Sequence, residues 1–162
     1  MQRNRQKGIV TTPLADAMQE LQQAGKALPD YVKRQTISIN YMSEHSSAYK
    51  MLASNKQDIA AIKSMEQVSE GQTVYYIPPT KVGLSKQQLG NYVQDGDILA
   101  LATTKKGLDT THIGIAVWGK DGKLHLLNAS QIHKKVVLET MTLQQYMNKH
   151  PTQLGIWVLR MK

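Results

Sequence analysis

The sequence predicts an α+β fold, with N-terminal helices packed on an antiparallel sheet of about five strands. Three observations predict it. Apolar residues at helical spacing dominate residues 1–71. Short apolar runs cut by turn residues dominate residues 72–162. The two kinds are segregated along the chain, which is the pattern of α+β proteins. Hydrophobic residues make up 41% and charged residues 20%, an ordinary globular balance. No repeat, low-complexity tract or linker interrupts the 162 residues, so one domain over 1–162 is expected.

The elements follow in order. Thr12 before Pro13 marks a helix start, with Leu14, Met18, Leu21 and Leu28 near helical spacing and Gly25 as a stop. A short helix is expected from about Ser46 to Ala53. Ile59, Ile62, Met65 and Val68 set a longer helix that ends at Gly71. "TVYYIPP" reads as a strand stopped by Pro78 and Pro79. "SKQQLGNYV" is a short helix or a turn. Asp95-Gly96 is a turn signal before the compact apolar strand Ile98 to Ala102. "THIGIAVW", "LHLLNAS" and "KKVVLE" are further strands, the first two joined by "GKDGK". "TLQQYMNKH" is a helix capped by Thr142, and "GIWVLRM" closes the meander.

Composition excludes several classes. With no cysteine, the chain has no disulfide, no thiolate metal site and no thiol nucleophile of its own. No stretch approaches the roughly 20 apolar residues of a membrane span. The basic start, "MQRNRQKGIVTTPLADAM", lacks the apolar run of a signal peptide. Net charge is +8, with 9 basic and 7 acidic groups up to residue 80 and 11 against 5 beyond it. That excess favours polyanions, an anionic wall polymer among them. Nucleic acid ranks last, because no aromatic–basic interleaving or recognition helix accompanies the charge. His45, His125, His133 and His150 form no i, i+4 pair and no acidic cluster completes a ligand set, so no metal is expected; nor is any cofactor, since no glycine-rich phosphate loop is present.

His112 opens an apolar strand. On period-2 alternation it shares a face with Gly114 and Ala116, while Ile113, Ile115 and Val117 form the other, core-like face. Asn128 ends the next strand. A turn centred on Lys120 sets His112 opposite Asn128 on one face. A two-residue turn at Asp121-Gly122 sets His112 opposite Gln131 and sends Asn128 to the other face. The Asp-Gly signal slightly favours the second. A polar partner fixes the tautomer and orientation of an imidazole, as the third member does in Cys–His–Asn catalysis.

The segments "YYIPP", "GDILALATTKKGLDTTHIGIAVW", "GKLHLLNAS" and "GIWVLR", with "INYMSEHSSAY" upstream, resemble the N-acetylmuramoyl-L-alanine amidase-like family of NlpC-type, papain-like bacterial cell-wall hydrolases. The resemblance covers most of the chain and is strongest from Tyr75 to Arg160. It implies a papain-like domain that cleaves a peptidoglycan amide bond, with His112 as base and Asn128 as its orienting partner. Asn128 stands where the family usually has the histidine of an "HAS" motif. The family's cysteine opens a helix ahead of anything visible here. The chain is therefore expected to be either the C-terminal part of a longer hydrolase, inactive alone, or a relative that has lost catalysis. Partners implied are muropeptides and that missing segment; the location implied is the envelope or outside the cell. Asp97 in "DGDIL", the rings of Tyr75, Tyr76 and Trp118, and Ser130 are candidate substrate contacts. Asp109 shapes the loop before His112. The competing reading is a non-catalytic module that binds muropeptides or wall polymer.

Overall fold

The computed structural model describes residues 10–162. The basic beginning, with Arg3, Arg5 and Lys7, lies outside them. Strand β1 (Val10–Thr11) leads into helix α1 (Pro13–Gln23), which has Pro13 at its first position. Gly25 ends that helix as expected. Its φ of 66° lets Gly25 N–H reach Gln22 O and Lys26 N–H reach Leu21 O, closing the orphan carbonyls of the last turn. Leu14 and Met18 of α1 enter the core.

The chain then departs from the mainly helical expectation. Strand β2 (Lys33–Thr36) pairs antiparallel with β3 (Thr73–Tyr76) in a separate two-stranded sheet. The helix expected over 46–53 is instead α2 (Tyr41–Glu44) followed by a single 3₁₀ turn over Ser46–Ala48. Helix α3 (Lys56–Ser69) forms as expected, capped by Asn55, whose Oδ1 accepts the N–H of Gln57 and Asp58. Its inward face differs from the predicted stripe. Met65 and Val68 are exposed, and Glu66 is buried because Oε1 accepts the backbone N–H of Met42 and Ser43.

Short helices α4 (Pro79–Val82) and α5 (Lys86–Leu89) precede β4 (Ile98–Thr103), β5 (Thr110–Trp118), β6 (Leu124–Ser130) and β7 (Lys135–Leu138). Helix α6 (Leu143–Asn148) begins at Thr142, whose hydroxyl accepts Gln145 N–H while the Gln145 side chain accepts Thr142 N–H. Strand β8 (Gln153–Met161) ends the chain. The main sheet has six antiparallel strands in the order β1-β8-β4-β5-β6-β7. It is not a simple meander. β8 returns beside β4, where Ile156 and Val158 align with Leu101 and Leu99 and extend one apolar face. The central position of β4 explains its unbroken run "ILALAT", in which five of six residues are buried.

The core face is the opposite of the one its residue types suggest. Gly114, Ala116 and Trp118 are buried, whereas Ile113 is 59% exposed. Leu99, Leu101, Leu124, Leu126 and Ile156 share the inner face with Ala116 and Trp118 and pack beneath α1, α4 and α6. Small residues on β5 make room for these larger neighbours. Ile113, Val136 and Leu138 leave the outer face apolar and open.

Candidate active site

His112 lies on β5 opposite Leu101, at the rim of the core face. The β5–β6 hairpin matches neither register expected from the sequence. Gly119 N–H binds Lys123 O, Gly122 N–H binds Gly119 O, and Gly122 takes a φ of 71°. This is a three-residue connection ending in a left-handed glycine. It aligns Trp118 with Leu124 and Ile115 with Leu127. Continued by three residues, that register sets His112 across from Ser130 and Asn128 diagonally beside it, all three on one face.

The His112 Nε2–H donates to Asn128 Oδ1 at 2.9 Å. Asn128 is 5% exposed, and its Nδ2–H donates in turn to Glu139 Oε1 at 2.9 Å. Glu139 follows β7 and is itself buried. Its backbone N–H binds Leu126 O, which turns its side chain inward. The three side chains thus form one chain of hydrogen bonds from the interior to the surface. His112 Nδ1 makes no hydrogen bond within the described residues.

A cleft of about 290 Å³ opens in front of this chain, lined among others by His112, Asn128, Ser130, Tyr146, His150 and Gln153. Tyr146 of α6 and His150, two residues past its end, have rings 4.8 Å apart. Burial, and then the charge of Glu139, raise the Tyr146 phenol above its usual range. Tyr146 therefore lines the cleft in its neutral form.

The sequence candidates divide into two groups. His112, Asn128 and Ser130 meet in the cleft, where Ser130 Oγ also accepts His133 N–H at 3.2 Å. The other four lie elsewhere. Asp97 precedes β4 at the end remote from Leu101. Arg160 grips its carboxylate at both oxygens, with Nε–Oδ1 at 2.8 Å and Nη2–Oδ2 at 2.7 Å, and Gln94 N–H adds a third bond at 2.7 Å. Trp118 is buried and spends its indole N–H on Val93 O. Tyr76 is buried, and Tyr75 lies with Trp157 in a separate cleft of about 300 Å³. Asp109 is buried in the loop before β5, and desolvation raises its carboxyl above the usual range.

Glu139, Tyr146 and His150 were not among the candidates. The signal for Glu139 was an acid on the inward alternation of "KVVLE", readable only once the β6–β7 register is known. That register depends on Lys134, whose φ of 56° closes the connecting loop.

A second histidine supports the same segment. His125 Nδ1 faces Glu139 O at 3.2 Å and Met141 O at 3.0 Å, while Nε2 faces Asp121 Oδ2 at 3.0 Å. All three partners are acceptors, so both ring nitrogens must carry protons to satisfy them. Burial alone would lower the imidazole pKa; the Asp121 carboxylate and the two carbonyls outweigh it and raise the value above 6.5. Because the folded value is the higher one, the stabilisation is fully present below pH 6.5 and is lost as pH rises through the folded value. The unfolding midpoint of the wild type should therefore fall across that window relative to His125→Gln. Urea titrations of the two proteins at several pH values check this.

The fold is a mixed α+β one built on a mostly antiparallel six-strand sheet. The model of the AmiA-like, N-acetylmuramoyl-L-alanine amidase-like family matches residues 9–156, and the chain belongs to that family. A crystal structure of an N-acetylmuramoyl-L-alanine amidase from Bacteroides uniformis is 35% identical, with a TM-score of 0.76 over 96% of this chain and 58% of that one. A Bacteroides fragilis protein, provisionally called a xylanase, is 33% identical with a TM-score of 0.74, over 94% of this chain and 59% of that one. A Legionella pneumophila protein at 18% identity, with a TM-score of 0.58 over 98% of this chain and 58% of that one, shares the fold. No curated protein matches. The chain thus spans just under three fifths of the length of these solved relatives.

Proposed function

We propose that the cleft is the acid–base part of a peptidoglycan amidase site of the NlpC-type, papain-like kind, with muropeptides as substrates in the cell envelope. The carrying observation is the pairing of His112 with Asn128 at an open cleft, in a chain of the amidase-like family. In this reading a thiolate attacks the amide carbonyl and a C–S bond forms. His112 Nδ1, the nitrogen left free by Asn128, first takes the thiol proton. It then returns that proton to the nitrogen of the leaving amine as the C–N bond breaks. Water, giving its proton to His112, then forms a C–O bond to the acyl carbon; the C–S bond breaks, and the sulfur recovers the proton as the carboxylic acid leaves. The 162 residues contain no cysteine, so they do not supply the thiol themselves. Ser130 and Tyr146 are the substrate contacts in this reading. Asp97, Tyr76 and Trp118 serve the fold.

The second reading keeps the cleft and omits the chemistry: a module that binds muropeptide. The missing thiol favours it. A glycosidase site would need two carboxyl groups roughly 5–9 Å apart across the cleft. Among the described residues none lines it, and Glu139 sits behind Asn128.

Both favoured readings predict muropeptide binding by this chain. Titration with a disaccharide–peptide muropeptide should shift the NMR signals of His112, Asn128 and Tyr146 together. Signals unmoved at millimolar ligand would remove the cleft as the binding site.

A further inference from the structure

We propose that Glu139 is a positioning residue that selects the tautomer of His112 through Asn128. An amide side chain can be turned end for end in the same space, and the two orientations ask opposite things of a neighbouring imidazole. With Oδ1 toward the ring, Nε2 must carry the proton and Nδ1 is left as the base. With Nδ2 toward the ring, Nε2 must be bare and Nδ1 carries the proton, which disables it as a base. Asn128 alone does not choose between them.

Glu139 makes the choice. An ionised carboxylate only accepts hydrogen bonds. Its Oε1 lies 2.9 Å from Asn128 Nδ2, so the amide must present N–H to Glu139 and its carbonyl to His112. Reversing Asn128 would lose the bond to Glu139 and set Oδ1 against a carboxylate in a buried position, two acceptors face to face. Glu139 does not touch the cleft, and acts only through Asn128. Its own place is fixed by the backbone bond to Leu126 and by the His125 bonds to the carbonyls of residues 139 and 141.

The catalytic meaning of this device rests on His112 being the base, but the tautomer itself does not. That separates the two tests. Nitrogen-15 NMR of labelled protein, at a pH where His112 is neutral, reports which ring nitrogen is protonated. The wild type should hold His112 as the Nε2–H form. In Glu139→Leu the excess of Nε2–H over Nδ1–H should fall about tenfold, the worth of one charge-assisted hydrogen bond. In an Asn128→Ala background, Glu139→Leu should change the ratio no further. A purely structural role for Glu139 would not produce that dependence.

A folded Glu139→Leu protein with the wild-type ratio overturns the proposal. So does a wild type held as Nδ1–H, a result that stands even if the variant does not fold. Failure of the amidase reading would appear separately, as absence of hydrolysis by the protein expressed from its whole reading frame, with the tautomer result intact.

Discussion

Replacing Arg160, which is 28% exposed, with alanine should destabilise the protein by about 1–3 kcal/mol, the usual loss when a buried acceptor is left without its donor. Asp97 is 3% exposed and accepts three hydrogen bonds, two of them from Arg160. Without the guanidinium the carboxylate keeps one backbone N–H and no countercharge. The pair also joins the start of β4 to the end of β8, two central strands of the sheet. Urea unfolding of Arg160→Ala should show a lower midpoint with an unchanged slope. A loss under about 1 kcal/mol would mean that Asp97 finds water or another partner, and that the pair does not hold the strands together.

The second large effect is expected at Gly114, which sits between His112 and Ala116 on the core face of β5. A Cβ there would lie 2.5 Å from Leu126 Cδ1, 2.8 Å from Leu126 Cγ and 2.9 Å from the backbone oxygen of Leu127. Leu126 is fully buried and the oxygen belongs to β6, so neither can retreat without moving the strand. Gly114→Val should cost about 1–3 kcal/mol through overpacking. It should also push β6 away from β5 and break the 2.9 Å bond between His112 and Asn128. Loss of muropeptide-induced shifts at His112 in a folded Gly114→Val protein would show the second effect. Wild-type stability in this variant would show that β6 moves freely, and the site would not be held as rigidly as described.

These two positions show what could be read from the sequence. The strands from Ile98 to Met161 were legible because short apolar runs end at Pro, Gly and Asp. Helix α1 was legible because Thr12-Pro13 and Gly25 punctuate it. Strand β2 was not: "KRQT" has no apolar alternation, and its partner β3 is a long way along the chain. The core face of β5 was misread because residue size on one strand was taken for burial. Leu99, Leu101 and Leu126 on neighbouring strands decide which face is inside. Asp97 read as a substrate contact because its partner, Arg160, is 63 residues away.

The site was legible in part for the same reason. His112 and Asn128 stood out as polar residues at the ends of apolar strands, and family resemblance paired them. Their meeting required a hairpin register that the Asp-Gly pair pointed away from. The actual loop spends Gly122 on a left-handed turn one residue longer. Glu139 required a second register as well. Each added strand carries the prediction through another unknown turn.

The most direct measurement is muropeptide hydrolysis by the protein expressed from its whole reading frame, compared with His112→Ala. The wild type should release a new amine from the substrate. Loss of the general base should slow that release by about 10²–10⁴-fold, with the fold intact. Hydrolysis at the wild-type rate by His112→Ala would contradict the assignment of the site. No hydrolysis by the wild type, in a protein that still binds muropeptide, would leave the binding module in its place.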